Sequence, residues 1–232
     1  MKYVIDFGPI PALPVVGGSD LFPVGRIYCV GRNYAEHARE MGHDPDREPP
    51  FFFMKPANSI VANGATIPFP QATKDLHHEI ELVVALGKGG TNIAVKQALA
   101  HVWGYGVGLD MTRRDLQGEA KKMGRPWEMG KGFDNSAPCT ALQPASKIGH
   151  PAKGAIWLKV GGAVKQKGDL ADMIWNVAHT VAFLSQYYEL LPGDLIYSGT
   201  PSGVGAVVPG DRLSGGIDRL GTLAVTIAAQ GA

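Results

Sequence analysis

The alternation of apolar and polar positions marks the strands first. Residues 79–86 (E-I-E-L-V-V-A-L) begin in strict alternation and end continuously apolar, as a strand does when it passes from a polar site into a core. Residues 103–110 set Trp103, Tyr105, Val107 and Leu109 against Gly104, Gly106, Gly108 and Asp110. As a strand, that segment has one packed face and one face of bare backbone ending in a single carboxylate. Further short strands are expected at 27–30, at 51–54 (buried) and at 195–198. Residues 156–160 and 163–167 flank Gly161-Gly162 as a hairpin with a two-residue turn.

Helical signals are fewer. Asn33, with Glu36 three residues on, predicts an N-cap for a helix through about Met41, and Thr112 with Asp115 predicts a second capped helix that stops at Gly124. A helix is expected over 93–102. Apolar residues at 174, 177, 181, 184 and 188 predict another over 173–188. The two Pro-Gly-Asp triplets, at 192–194 and 209–211, mark turns. The pattern is that of an α+β protein with a mixed or largely antiparallel sheet system. Residues 1–25, rich in Gly and Pro, read as an extended opening segment before one domain over 26–232.

Composition narrows the classes. The 232 residues carry a net charge of +1 without a long basic run, which argues against a nucleic-acid partner. Two cysteines, Cys29 and Cys139, are too few for a disulfide framework or a cysteine zinc site. No apolar run approaches the ~18 residues of a membrane span, and no signal-peptide core precedes Asp6. The expectation is a cytoplasmic protein with no membrane partner.

The candidate chemistry centres on His77-His78-Glu79-Ile80-Glu81. On a strand, Glu79 and Glu81 share a face, about 7 Å apart along the chain. Two adjacent like charges favour a cation between them, and Asp110 could add a third oxygen. Three carboxylates make a hard site for Mg²⁺, Mn²⁺ or Ca²⁺. A solvated strand face is the competing reading, and His77 fits either a fourth ligand or a hydrogen-bonding role. His37 and Glu40, spaced i,i+3 on the first predicted helix, suit a general base and its orienting carboxylate, though surface helices also carry such pairs. Residues 199–205 (G-T-P-S-G-V-G) lack the Gly-Lys-Ser/Thr of a phosphate loop, and suit either a backbone cradle for a small carboxylate or a plain turn. Lys131, between Gly130 and Gly132, could reach a pocket or stand in solvent. The absence of Gly-x-Ser-x-Gly disfavours a serine hydrolase.

In order along the chain, 31–37 (G-R-N-Y-A-E-H), 53–56 (F-M-K-P), 77–82, 108–115 (G-L-D-M-T-R-R-D), 131–134 (K-G-F-D) and 198–205 resemble the fumarylacetoacetate hydrolase (FAH) family. The resemblance implies the mixed β-sheet FAH-type catalytic fold with a few peripheral helices, Mg²⁺ or Mn²⁺ on Glu79, Glu81 and Asp110, and a His37–Glu40 pair. It also implies pocket residues at Arg114, Gln117, Lys131 and Thr200, and a homodimer; Gly199, in the candidate carboxylate cradle, is the further expected substrate-binding residue. Residues 42–53 and the Pro-rich opening look most like the bacterial members that cleave fumarylpyruvate in gentisate breakdown.

The expected activity is therefore metal-dependent hydrolysis of the C–C bond of a 2,4-dioxo acid, giving fumarate and pyruvate. Oxaloacetate decarboxylation or general acylpyruvate hydrolysis is the alternative within the family. A non-catalytic metal-dependent binding protein would leave the His37–Glu40 pair idle. Catalytic roles fall to His37, Glu40, Lys131 and Gln117. A fumaryl group ends in a carboxylate that needs a cation when buried, and Arg47 or Arg32 is the expected partner.

Overall fold

The computed structural model describes residues 4–6, 8–36 and 49–229. Strands β1 (Ala12–Pro14) and β2 (Leu21–Pro23) form a hairpin within the opening segment. Next come β3 (Ile27–Gly31), β4 (Phe51–Lys55), β5 (Ile60–Ala62), β6 (Thr66–Ile67), β7 (Leu76–His78) and β8 (Ile80–Leu86). The middle of the chain supplies β9 (Val102–Leu109), β10 (Thr112–Arg113), β11 (Ala137–Cys139), β12 (Gln143–Pro144), β13 (Ala155–Val160) and β14 (Ala163–Asp169). The C-terminal part adds β15 (Leu195–Tyr197), β16 (Gly205–Val207), β17 (Arg212–Ile217) and β18 (Gly221–Ile227).

An eight-stranded mixed sheet in the order β4-β3-β15-β8-β9-β11-β5, with β12 also on β9, is the centre of the fold. A five-stranded sheet, β14-β13-β17-β18-β6, covers one face of it. The period-two geometry of β8 explains how. Ile80, Leu82, Val84 and Leu86 enter the larger core with Leu158, Leu213 and Val225, whereas Val83 and Ala85 enter a second core. That second core is closed by Leu13, Phe22 and Val24 of the opening segment.

The same parity rule runs through β9 from Gly104 onward; Trp103, where the ladder with β8 shifts register, packs against the second core beside Phe22 instead of on the face of Tyr105. Tyr105, Val107 and Leu109 fill the larger core, and the glycines turn to the other face. That glycine face is packed, which corrects the expectation of bare backbone. A Cβ on Gly108 would stand 2.6 Å from the Tyr197 ring and from Val83, and one on Gly104 would stand 2.4 Å from the Gln143 carbonyl. The glycines let neighbouring groups approach the strand.

Other boundaries moved. Residues 93–102 hold only a four-residue helix, Val95–Ala98, and a 3₁₀ turn, because Val102 already belongs to β9. The helix expected over 173–188 is confined to Val177–Leu184, with the Asn176 side chain accepting from His179 N. β4 is half-buried along Phe51–Met54 instead of buried. The helix after Asp110 is Arg114–Lys122, without a side-chain cap: Asp115 accepts from Thr73 Oγ1 (2.6 Å) and Lys74 N (3.0 Å) instead. The Gly161-Gly162 hairpin has both glycines at positive φ, 57° and 86°, as a type I′ turn requires. No helix among the described residues is long and apolar enough to cross a membrane.

Candidate active site

The large sheet and a small three-stranded sheet, β10-β7-β16, part company at Glu79. Glu79 therefore lies between β7 and β8, and the strand predicted to start there begins one residue later. The ladder with β9 sets Glu81 opposite Gly108, and Asp110 N donates to the Glu79 carbonyl at 2.9 Å. Glu81 and Asp110 both lie on the face that carries Val83, Ala85 and the glycines. Ligand atoms of Glu79, Glu81 and Asp110 all lie within 4.8 Å of one another, and all three residues are buried. The competing reading of a solvated strand face is thereby excluded.

Buried carboxylates need compensation, and the surrounding chain supplies cations from three directions. Lys131, from the short helix Glu128–Lys131, places Nζ 2.8 Å from Glu79 Oε2, 2.7 Å from Asp110 Oδ2 and 2.7 Å from Thr112 Oγ1. Lys55, at the end of β4, places Nζ 2.8 Å from Asp110 Oδ1 and donates to the carbonyls of Met111 and Lys131. Arg114 donates to Glu79 Oε1 (2.5 Å) and Gln117 Oε1 (2.7 Å). Burial alone would lower the Lys131 ammonium, but Asp110 and Glu79 outweigh it and hold the group above its ordinary value. Lys131 is therefore a permanent donor.

Glu81 is compensated least. Burial, then the charges of Asp110 and Glu79, push its carboxyl well above the usual range, against Lys131 and a 2.8 Å hydrogen bond from Gly199 N. Gly199 sits at φ 93°, and a Cβ there would lie 2.7 Å from that of Asn33, so only glycine brings this amide to Glu81. The glycine-rich loop does cradle a carboxylate, and it is the protein's own. Each carboxylate oxygen can accept more than one contact. The cluster thus fits a hard divalent cation by donor type, proximity and residual charge.

Thr200 donates to the Ile80 carbonyl (2.7 Å) and accepts from Gln166 Nε2 (2.8 Å), and Gln166 Oε1 takes Ile80 N and pairs with His78 Nδ1. The cleft above the carboxylates is lined by Arg32, Gln117, Lys121, Trp127 and Thr200, among others. Arg32, Arg114, Gln117, Lys131, Gly199 and Thr200 are thus gathered around the acid cluster. His77 takes the hydrogen-bonding role, with Nε2 2.8 Å from Asp75 Oδ1, and is not in the acid cluster. Asn33 is fully buried and ties the loops together through Trp175 N and O and the Ser198 carbonyl. His37, Glu40 and Arg47 lie outside the described residues.

Lys55, Gln166 and Lys121 were not singled out by residue pattern, and Thr112 was singled out only as a helix cap. Lys55 had a signal, a lone charge closing the apolar run F-F-F-M. Gln166 had none, since its neighbours Lys165 and Lys167 read as a solvated strand.

The family model for the fumarylacetoacetate (FAA) hydrolase C-terminal domain matches residues 26–228. The chain belongs to this family. Among FAH-family relatives, it is similar to a fumarylpyruvate hydrolase of a Ralstonia species, 43% identical over 81% of this chain and 98% of that one. It is also similar to a mitochondrial oxaloacetate decarboxylase of Dictyostelium discoideum, 43% identical over 85% of this chain and 90% of that one. Among solved structures, the fumarylpyruvate hydrolase of Pseudomonas aeruginosa in complex with Mn²⁺ and pyruvate is 54% identical. It covers 99% of this chain and all of its own, with a TM-score of 0.97.

Proposed function

We propose that this FAH-family chain is a metal-dependent hydrolase that cleaves fumarylpyruvate to fumarate and pyruvate. The observation that carries the reading is the buried Glu79–Glu81–Asp110 cluster with Lys131 against it, in a chain 54% identical over its length to an enzyme that holds Mn²⁺ and pyruvate. Mg²⁺ or Mn²⁺ on these three carboxylates supplies Lewis acidity to a 2-oxo acid.

The chain's own groups do the rest. His37, oriented by Glu40, takes a proton from the water that adds to the C4 carbonyl. Gln117 donates its amide N–H to the oxygen that gains charge, with its Oε1 held by Arg114, and the Lys131 ammonium stabilises that oxygen by its charge. The C3–C4 bond breaks with its electron pair passing to the pyruvate side, which takes up a proton at C3. The acyl side leaves as the carboxylic acid. The same reading carries a cytoplasmic homodimer acting in gentisate breakdown.

Purified protein loaded with Mn²⁺ or Mg²⁺ tests the proposal: pyruvate release from fumarylpyruvate is expected, and its absence overturns it. The Dictyostelium relative favours a second reading, oxaloacetate decarboxylation, which needs the same carboxylates and no hydrolytic water. CO₂ release from oxaloacetate without hydrolysis of any acylpyruvate would select it.

A further inference from the structure

The helix Arg114–Lys122 turns one face to the cleft. Arg114, Gln117 and Lys121 recur at i, i+3 and i+7, which brings all three to the same side. At 1.5 Å per residue, Lys121 stands about 10 Å farther along the helix than Arg114. Arg114 and Gln117 meet each other beside Glu79, at the buried end. Lys121 is half-buried on the more exposed side, with Nζ 4.8 Å from the centre of the Trp127 ring.

The other lysine of the cleft and Arg114 are committed to carboxylates: Lys131 to Glu79 and Asp110, and Arg114 to Glu79. Among the described residues Lys121 makes no ion pair, and its close partner is a ring face. An ammonium held against an aromatic wall, half out of water and without an acid, is a site for an anionic group of a ligand. Its place along the helix is the far end of a chain whose oxo-acid end lies at the carboxylate cluster.

We infer that Lys121 reads the distal carboxylate of a dicarboxylic acylpyruvate and so sets the acyl selectivity of the cleft. This rests on the acylpyruvate reading above. It replaces the expectation that Arg47 or Arg32 has this role, although Arg32 lines the same cleft, with its guanidinium 5.2 Å from the Phe51 ring centre.

Burial, then the charges of Arg114 and Arg32, lower Lys121 to about 8, with Lys131 adding to the effect and Glu79 opposing it. A bound carboxylate would restore the charged form. Affinity for a dicarboxylate should therefore fall as pH rises through about 8, and affinity for pyruvate should not follow.

The test compares wild type, Lys121→Met, Lys121→Arg and Arg32→Met. Titration calorimetry gives fumarate and pyruvate affinities between pH 6.5 and 9.5, and kcat/KM is measured on fumarylpyruvate and acetylpyruvate. In Lys121→Met, the fumarate-to-pyruvate affinity ratio and the fumarylpyruvate-to-acetylpyruvate kcat/KM ratio should each fall at least about ten-fold. The pH dependence of fumarate binding should vanish there, and Lys121→Arg should keep both ratios. Unchanged ratios in Lys121→Met, or a collapse confined to Arg32→Met, overturn the inference. If wild type hydrolyses no acylpyruvate yet binds fumarate through Lys121, the proposed reaction falls and the anion site stands.

Discussion

Replacing Lys55 by methionine keeps most of the side chain's apolar bulk and removes its ammonium from a position with no solvent exposure. Asp110 Oδ1, 2.8 Å from Lys55 Nζ, would then face a methyl group, and the carbonyls of Met111 and Lys131 would lose their donor. Lys131 still holds Asp110 Oδ2 at 2.7 Å, so the carboxylate is left half-compensated. Breaking one side of a buried ion pair costs about 3–5 kcal/mol. For a chain of this size each kcal/mol moves Tm by ~2–4 °C, so the metal-free variant should melt about 6–20 °C below wild type. Thermal melts in chelator, followed by circular dichroism, read this directly. Added Mn²⁺ should raise Tm more in the variant, because the cation then supplies the charge that Asp110 lacks. A deficit under about 2 °C would refute the ion-pair argument. An equal Mn²⁺-induced rise in both proteins would refute Asp110 as a ligand.

Glu81→Gln and Asp110→Asn should each abolish Mn²⁺ binding in titration calorimetry and reduce turnover at least ~100-fold, as should exhaustive chelation of the wild type. His37→Ala should lose hydrolysis and keep Mn²⁺ affinity, since its proposed partner is water; loss of metal in that variant would reassign it. Gly108→Ala should destabilise the fold by about 1–3 kcal/mol, because the new Cβ meets Tyr197 and Val83 at 2.6 Å and both sit in a packed core. A wild-type Tm in that variant would show that the ring can yield.

The strands and the acid cluster were legible in the chain because a period of two is a local property. Alternation in 79–86 and 103–110 assigns each residue a face, and it brought Glu79, Glu81 and Asp110 forward before any pairing was known. The two-residue hairpin turn was legible for the same reason, since Gly161-Gly162 carries its own conformational requirement. Helix lengths were not. Residues 93–102 and 173–188 have helical periodicity, but β9 claims Val102 and the turn toward β15 claims the residues after Leu184, and tertiary packing decides such contests.

The site's charge balance was also beyond local reading. Lys55 lies 55 residues from Asp110 in sequence and meets it only because the sheet curls until its two ends, β4 and β5, are joined by the short turn at 56–59, which brings β4 round to the β9 side. Whether a carboxylate is a solvated surface charge or a buried ligand depends on such distant partners. Lys131, Lys55, Arg114 and the Gly199 amide settle that for this cluster. The sequence by itself determined which side chains share a face; only the tertiary structure decided which of them are dry, which are paired, and which cation is left to meet a substrate.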